Sequence, residues 1–275
     1  MQEKNYDPVA KAAENAASIA AKNFVSQGIP VRQIRVLTEE ASKSLNRACG
    51  LYTTIQTGPM DRLVDGEPVC ACLSEQLKIY LSPFLGKRLC ICGIGNRELS
   101  SDSLGPKTTQ LISPQLYEAL PLRCNFEKIA VVCPSVSGIT NLNTETTIAA
   151  IVSAMKADCI LTIDACACDD IEDMCSNIQL TDTGMRSFQR VSGLQETTVG
   201  VPVVSIGVPT AIQASSLSAG NHAMPDRLFL TPAHIEEAIK VGAFIISCAI
   251  LQTAYPELDY EACKNYIGMS LYGVL

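Results

Sequence analysis

Three short apolar segments, separated by stretches of helical character, restrict the fold of this 275-residue chain more than any other feature. They are residues 88–94 (RLCICGI), 128–133 (KIAVVC) and 159–163 (CILTI), and two further strands are predicted at 177–180 and 202–207. The stretches 102–120 and 143–155 between them are predicted to be helices. Short buried strands that alternate with helices are typical of a mainly parallel sheet. We therefore predict an α/β fold with helices on both faces of such a sheet.

The first 85 residues have a less regular pattern. An Ala-rich stretch at 8–24 predicts a helix, residues 33–37 and 51–56 predict strands, and 69–81 predicts a second helix. At the other end, Thr231 is expected to begin a long helix that runs to Ala254. Since no repeat or low-complexity linker divides the chain, we predict one α/β domain over residues 1–275, in which 1–85 packs on a core of 86–275.

Charge and hydropathy exclude several classes of partner. The net charge is −7 and no Lys/Arg cluster occurs, which disfavours nucleic acid as a partner. The sequence has no uninterrupted run of about 20 apolar residues and no signal peptide, so neither a membrane span nor secretion is expected. A cytoplasmic protein follows from these features.

The thirteen cysteines are many for such a protein. Their number is odd and no secretory signal precedes them, so a disulfide framework is not expected. Three C-x-C pairs could each offer two thiolates to zinc from one face of a strand: Cys70/Cys72, Cys90/Cys92 and Cys166/Cys168. With two histidines and no C-x-x-C motif, the preferred interpretation is small buried apolar side chains, and neither metal nor cofactor is predicted.

Two aspartates follow predicted strands, and ligands of doubly wound sheets bind beyond the carboxyl ends of the strands. Asp164 follows the apolar run 160–163, and Asp102 lies shortly after the strand at 88–94. Each aspartate taken singly could equally cap a helix. A dinucleotide loop at Gly93 and Gly95 is disfavoured, because position 98 is Glu where a third glycine would be needed.

Together, Asp102 and Asp164 could form a catalytic pair. Two neighbouring carboxylates share one proton, so the ionised one can activate water while the neutral one protonates the scissile group. Asn96, Arg97, Thr140 and Thr183 are predicted neighbours that orient water or bind peptide backbone. A serine mechanism is disfavoured, since no G-x-S-x-G motif occurs.

Asp182 begins a conspicuous D-T-G triplet. The triplet resembles that of pepsin-like proteases, but those enzymes are all-β. A turn held by the Asp and Thr side chains is the preferred interpretation, with Asp182 at most an indirect supporter of the site.

Five segments resemble the spore germination endopeptidase family: 93–106 (GIGNRELSSDSLGP), 133–140 (CPSVSGIT), 161–167 (LTIDACA), 177–184 (NIQLTDTG) and 200–214 (GVPVVSIGVPTAIQA). The resemblance implies a fold related to the hydrogenase-maturation peptidases. It also implies an atypical aspartic endopeptidase that cleaves small acid-soluble spore proteins during germination. Such a protease is a homotetramer, is made as a zymogen and acts in the spore core or forespore. The family's catalytic aspartates fall on Asp102 and Asp164.

Three segments depart from the family pattern. They are 141–144 (NLNT), 168–170 (CDD), where an Arg is expected, and 185–190 (MRSFQR), in place of a longer glycine-rich loop. Only six residues precede Asp7, so a reduced propeptide is expected. Two alternatives therefore stay open beside the endopeptidase. One is a non-catalytic homologue that binds a partner, and the other is a maturation-type peptidase in which both aspartates hold a hard cation.

Overall fold

The described strands all belong to one mixed β-sheet. A computed structural model describes residues 18–112, 122–184, 194–217 and 228–272. In chain order the strands are β1 (Ile19–Ser26), β2 (Ile29–Val36), β3 (Gly50–Gln56), β4 (Arg88–Gly93), β5 (Lys128–Val132), β6 (Cys159–Cys168), β7 (Asn177–Thr181), β8 (Val203–Gln213) and β9 (Phe229–Leu230). Their order across the sheet is β1-β2-β3-β7-β8-β6-β4-β5, and β9 pairs with β8.

Helices connect and cover these strands. They are α1 (Glu39–Leu45), α2 (Glu67–Leu81), α3 (Leu104–Leu111), α4 (Ser137–Thr140), α5 (Thr144–Met155), α6 (Glu196–Val199), α7 (Ile235–Ala254) and α8 (Tyr260–Tyr272). The predicted helix at 102–120 is thus described only as α3, and residues 113–121 lie outside the described part. The long C-terminal helix begins at Ile235, four residues after the predicted start.

The sheet has a parallel and an antiparallel part. Strands β5, β4, β6 and β8 run parallel, whereas β1, β2, β3 and β7 pair in antiparallel fashion and join β8 through β7. The α/β class is confirmed, but the expected mainly parallel sheet is a mixed one. The difference arises from β1, β2 and β3 in the first 85 residues and from β7, which pairs antiparallel with both β3 and β8.

The Ala-rich segment predicted as a helix contains β1 instead. Gln27 and Gly28 have positive φ angles of 55° and 78°, which make the tight hairpin that turns β1 back along β2. Pairing with β2 supplies backbone hydrogen bonds that outweigh the modest helix preference of alanine. Residues 8–17 of the predicted helix lie outside the described part.

Successive side chains of the central strands point to opposite faces of the sheet, so they belong to two separate apolar cores. Leu89 and Ile91 of β4, like Leu161 of β6, face a core shared with α2, α3 and α7. The intervening Cys90 and Cys92 face a second core that includes side chains of α5 and α6. The predicted placement of helices on both faces is confirmed.

Helix α7 is long and apolar enough to span a membrane by length and composition alone. In the fold it packs against α2 and α3, and 72% of its apolar segment is buried. Its hydrophobicity is therefore explained by its place in the core.

All thirteen cysteines are free, and most are buried within the two cores. Burial raises the pKa of Cys90 and of Cys159 to about 12, so these thiols are protonated and unreactive at neutral pH. Cys70 and Cys72 lie in a helix rather than a strand. Among the described residues no three His, Cys, Asp or Glu side chains converge as a metal site.

Candidate active site

Asp102 ends a loop that crosses the carboxyl end of the parallel strands. After β4 the Ile94 N–H donates to the Ile163 carbonyl at 2.8 Å, and the chain then reaches a short 3₁₀ turn, Ser100–Asp102. The Asp102 Oδ2 atom accepts the Asn96 N–H at 2.8 Å. Helix α3 begins after Ser103 with no side-chain cap. The carboxylate of Asp102 therefore closes its own loop and does not cap the helix.

Asp164 lies inside a strand, not at its end. Strand β6 continues to Cys168, so the predicted end of this strand at residue 163 is wrong, and a helix N-cap at Asp164 is excluded. Its neighbour β4 stops at Gly93, which pairs with Ile163, while β8 continues past Asp164 with Gly207 opposite. Asp164 is thus the first residue of β6 beyond the end of β4. Its surface is 9% exposed, which leaves it nearly buried at this edge.

Burial raises the pKa values of both aspartates, and the charge of Asp102 adds to the rise at Asp164. The pKa of Asp164 rises to about 8, mainly by burial and next by the negative charge of Asp102, against a lowering by the Ala165 N–H. Burial also raises the pKa of Asp102, opposed by the hydrogen bond from Asn96. At neutral pH Asp164 is accordingly mostly protonated. A protonated carboxyl group near a second carboxyl group is what acid–base chemistry by a carboxyl pair needs.

Glycines permit the close approach of the Asp102 loop to β6. A methyl group on Gly105 would overlap the carbonyl oxygens of Ile94 and Ile163, and one on Gly95 would overlap the Asp102 carbonyl. Gly95 also has a φ of 132°, which side chains rarely adopt. Gly105 lies within the candidate segment 93–106, but the sequence alone predicted no role for it. The sequence feature that could have indicated its role is a glycine directly before a proline in the first turn of a predicted helix, close to a candidate catalytic aspartate.

We expect Gly105→Ala to destabilise the protein by about 2 to 3 kcal/mol, because helix α3 would have to move away from β6. Chemical denaturation monitored by circular dichroism measures this loss. Gly138→Ala is the matched control, since a methyl group there meets no atom within 4 Å. Equal stability of the two variants would contradict the close packing of α3 on β6.

Of the predicted neighbours, Asn96 is the one that touches Asp102. Its backbone N–H binds the carboxylate, while its side-chain Oδ1 accepts the Glu98 N–H at 2.9 Å and holds the turn. Arg97 follows in the same loop and is exposed. Thr140 is exposed in α4, and its hydroxyl bonds to the Val136 carbonyl and the Leu142 N–H within that turn. The geometry thus gives Asn96 a part in the site and leaves Thr140 with a local one.

Asp182 and Thr183 lie toward the other end of the strands. Thr181 pairs with Ser205, which lies two residues before the Gly207 that faces Asp164, and Asp182 continues away from the site. Asp182 Oδ1 accepts the Leu51 N–H at 2.7 Å, and the Thr183 hydroxyl contacts the Tyr52 hydroxyl at 3.0 Å. These hydrogen bonds connect the segment after β7 to β3. The structure therefore does not bring Asp182 or Thr183 to the aspartate pair.

The chain is similar to germination proteases. A family model described as germination protease matches residues 1–224. A germination protease of Clostridium tetani is 31% identical over 229 residues, which cover 76% of this chain and 68% of that protein. One of Geobacillus sp. is also 31% identical, over 205 residues, 70% of this chain and 55% of that protein. One of Priestia megaterium is 26% identical over 73% of this chain and 58% of the relative.

A solved structure gives a more distant match. The [NiFe] hydrogenase maturation protease HycI from Thermococcus kodakarensis aligns at 20% identity with a TM-score of 0.35. The alignment covers 62% of this chain and 98% of that protein.

Proposed function

Because the chain belongs to the germination protease family, we propose that it is an aspartate-dependent endopeptidase that uses Asp102, Asp164 and a water molecule. The observation that carries this proposal is the raised pKa of a nearly buried Asp164 beside a second carboxylate. Burial of the Asp164 carboxyl group without a functional need would be costly, and perturbed pKa values of this kind cluster at functional sites.

The proposed reaction assigns a different task to each carboxyl group. Asp102 begins ionised and accepts a proton from water, whose oxygen attacks the carbonyl carbon of the peptide bond. Asp164 begins protonated and donates its proton toward the carbonyl oxygen, which stabilises the tetrahedral intermediate. Collapse of that intermediate breaks the C–N bond, and the proton held by Asp102 leaves with the amine. The carbonyl group re-forms as one hydroxyl proton of the intermediate returns to Asp164, so the pair ends with the single proton with which it began.

The substrate and cellular setting in this proposal follow from family membership. The substrates are small acid-soluble spore proteins, and the site of action is the cytoplasm of the spore core or forespore. We further propose a homotetramer that is made as a zymogen, as the family resemblance implies. The alignments span 55 to 68% of the three relatives' own lengths.

Metal assistance is the competing mechanism for the same two aspartates. Among the residues described, no group of three His, Cys, Asp or Glu side chains could hold an ion. Two carboxylates alone make a weak site for a hard cation, which prefers six or more oxygen ligands. The donor set therefore favours proton sharing.

The test is digestion of a purified small acid-soluble spore protein by the purified chain, with and without EDTA. We expect discrete fragments by mass spectrometry and the same initial rate with the chelator present. The control substrate is serum albumin, which should stay intact under the same conditions. Absence of any cleavage, both by the purified chain and after an incubation that allows zymogen processing, would reject the endopeptidase. Loss of cleavage with EDTA that Mg²⁺ or Ca²⁺ restores would reject the metal-free mechanism.

A further inference from the structure

Strand β8 contains a bulge beside the candidate active site. Pro209 pairs with Cys166 and Ala211 pairs with the next residue of β6, Ala167, so Thr210 is an extra residue with no partner in β6. Pro209 cannot donate a ladder hydrogen bond, and proline inside a sheet is characteristic of bulges. Bulges of this kind redirect a side chain, and they are frequent next to active sites.

The redirected side chain of Thr210 reaches the Asp102 turn. Its Oγ1 donates a hydrogen bond of 2.7 Å to the carbonyl of Ser101, the residue directly before Asp102, and Thr210 is fully buried. Helix α7 holds the same turn from another direction, because the Ser100 hydroxyl lies 3.2 Å from Glu236 Oε1. The Glu236 contact is exposed to water, whereas the Thr210 contact is partly buried. The more buried bond is therefore the stronger restraint on the turn.

The geometry points to Thr210 as a positioning residue that sets the distance between Asp102 and Asp164. Both ends of its contact are close to the pair: Thr210 is three residues after Gly207, the strand partner of Asp164, and its acceptor is adjacent to Asp102. The hydroxyl thus links the strand beside one aspartate to the turn that carries the other. This inference rests on the proposed function and adds a residue to its machinery.

Loss of the hydroxyl should change how the pair titrates. Without the bond, the Ser100–Asp102 turn can move away from β8, which increases the distance between the two carboxyl groups. The negative charge of Asp102 then acts less on Asp164, and the pKa of Asp164 falls. The rate falls at alkaline pH because Asp164 loses the proton that it must donate, and this fall is the alkaline limb of the rate profile. A lower pKa of Asp164 therefore moves the alkaline limb to lower pH.

The test compares Thr210→Val, which keeps the shape and removes the donor, with Thr210→Ser, which keeps the donor. We expect Thr210→Val to lower kcat on the spore-protein substrate about tenfold or more, to leave KM unchanged and to move the alkaline limb to lower pH. In Thr210→Ser the alkaline limb should stay at its wild-type pH. Thr53→Val is the matched control: Thr53 is equally buried in β3, and its hydroxyl lies 2.8 Å from the Tyr80 hydroxyl, remote from the pair. A wild-type kcat and limb in Thr210→Val would overturn the assignment.

Two further measurements keep the test decisive. If Thr210→Val does not fold, Thr210→Cys replaces it, because its thiol is similar in size to the serine hydroxyl and a weaker donor. An alkaline limb at the same pH in the Cys and Ser variants would then overturn the inference. If the wild-type chain cleaves nothing, the carboxyl-carbon NMR titration of Asp164 still decides: a lower pKa in Thr210→Val supports positioning, and an unchanged one refutes it. Failure of the protease proposal is thereby separated from failure of this one.

Discussion

Replacing either Asp102 or Asp164 by Asn is expected to lower the kcat for peptide cleavage by roughly 10³-fold, which lies within the range that general acid–base groups contribute. Asn keeps the size of the side chain but can neither accept a proton from water nor donate one as an acid. The two variants should be about equally impaired, because the proposed reaction needs both partners in each turnover. Initial rates on a purified small acid-soluble spore protein measure the loss.

The Asp102→Asn variant provides a second readout that does not depend on activity. Removal of the charge on Asp102 removes one cause of the raised pKa of Asp164, while burial remains. We therefore expect the pKa of Asp164 in this variant to lie below its wild-type value of about 8 and above the ordinary value for aspartate. Carboxyl-carbon NMR spectroscopy follows this titration.

Asp158→Asn is the matched control for both aspartate variants. Asp158 lies directly before β6, at the opposite end of the strand that carries Asp164, and its carboxylate binds the Arg88 N–H at 2.9 Å. Its replacement removes one negative charge from the same element and should leave the cleavage rate at the wild-type value. Unchanged cleavage by Asp102→Asn or Asp164→Asn would contradict the catalytic pair.

The sequence was most informative where one physical cause dominates. The apolar runs of β4, β5 and β6 are buried on both faces, so their composition alone indicated central strands. Helix α5 was predicted at 143–155 and is observed at Thr144–Met155, where Asn143 caps it by accepting the Thr146 N–H. Local signals and burial agree in these elements.

Prediction failed where pairing with a distant strand decides the structure. The alanines of β1 prefer a helix, and only their pairing with β2 makes them a strand. The end of β6 was placed too early, because a polar Asp164 after an apolar run resembles a strand terminus. Its continuation depends on β8, which lies about 40 residues later in the chain. Pro209 was a readable signal of the bulge at Thr210, but the partner of that hydroxyl is 109 residues away.

The candidate site shows the same contrast between what local sequence signals predict and what pairing with distant strands decides. Asp102 and Asp164 could be paired from the sequence because the carboxyl ends of parallel strands share one edge. Asp182 follows β7, which runs antiparallel to β8, so the end of β7 lies toward the other edge. The apolar pattern of a strand is the same whether the strand runs parallel or antiparallel to its neighbour. The D-T-G triplet was therefore placed among the neighbours of the pair, although its side chains bind β3.

Asp164 should also make the stability of the folded chain depend on pH. Its pKa is about 8 in the fold and about 4 in an unfolded chain, so between these values the native state keeps a proton that the unfolded state has lost. A carboxyl group with a raised folded pKa therefore destabilises the fold as pH increases through this window, by up to about 1.4 kcal/mol per pH unit. Asp164→Asn removes this contribution, because its amide does not titrate.

Urea denaturation of wild type and Asp164→Asn at pH 5 and at pH 7.5 measures this contribution. We expect the free energy of unfolding of the variant to gain roughly 3 kcal/mol on that of the wild type between the two pH values. Asp158→Asn is again the control, because the Arg88 N–H lowers the pKa of Asp158, whose contribution is lost only at more acidic pH. A constant difference between wild type and Asp164→Asn at both pH values would show that Asp164 is ionised in the fold. The assignment of Asp164 as the proton donor would then be wrong, even if its replacement abolished cleavage.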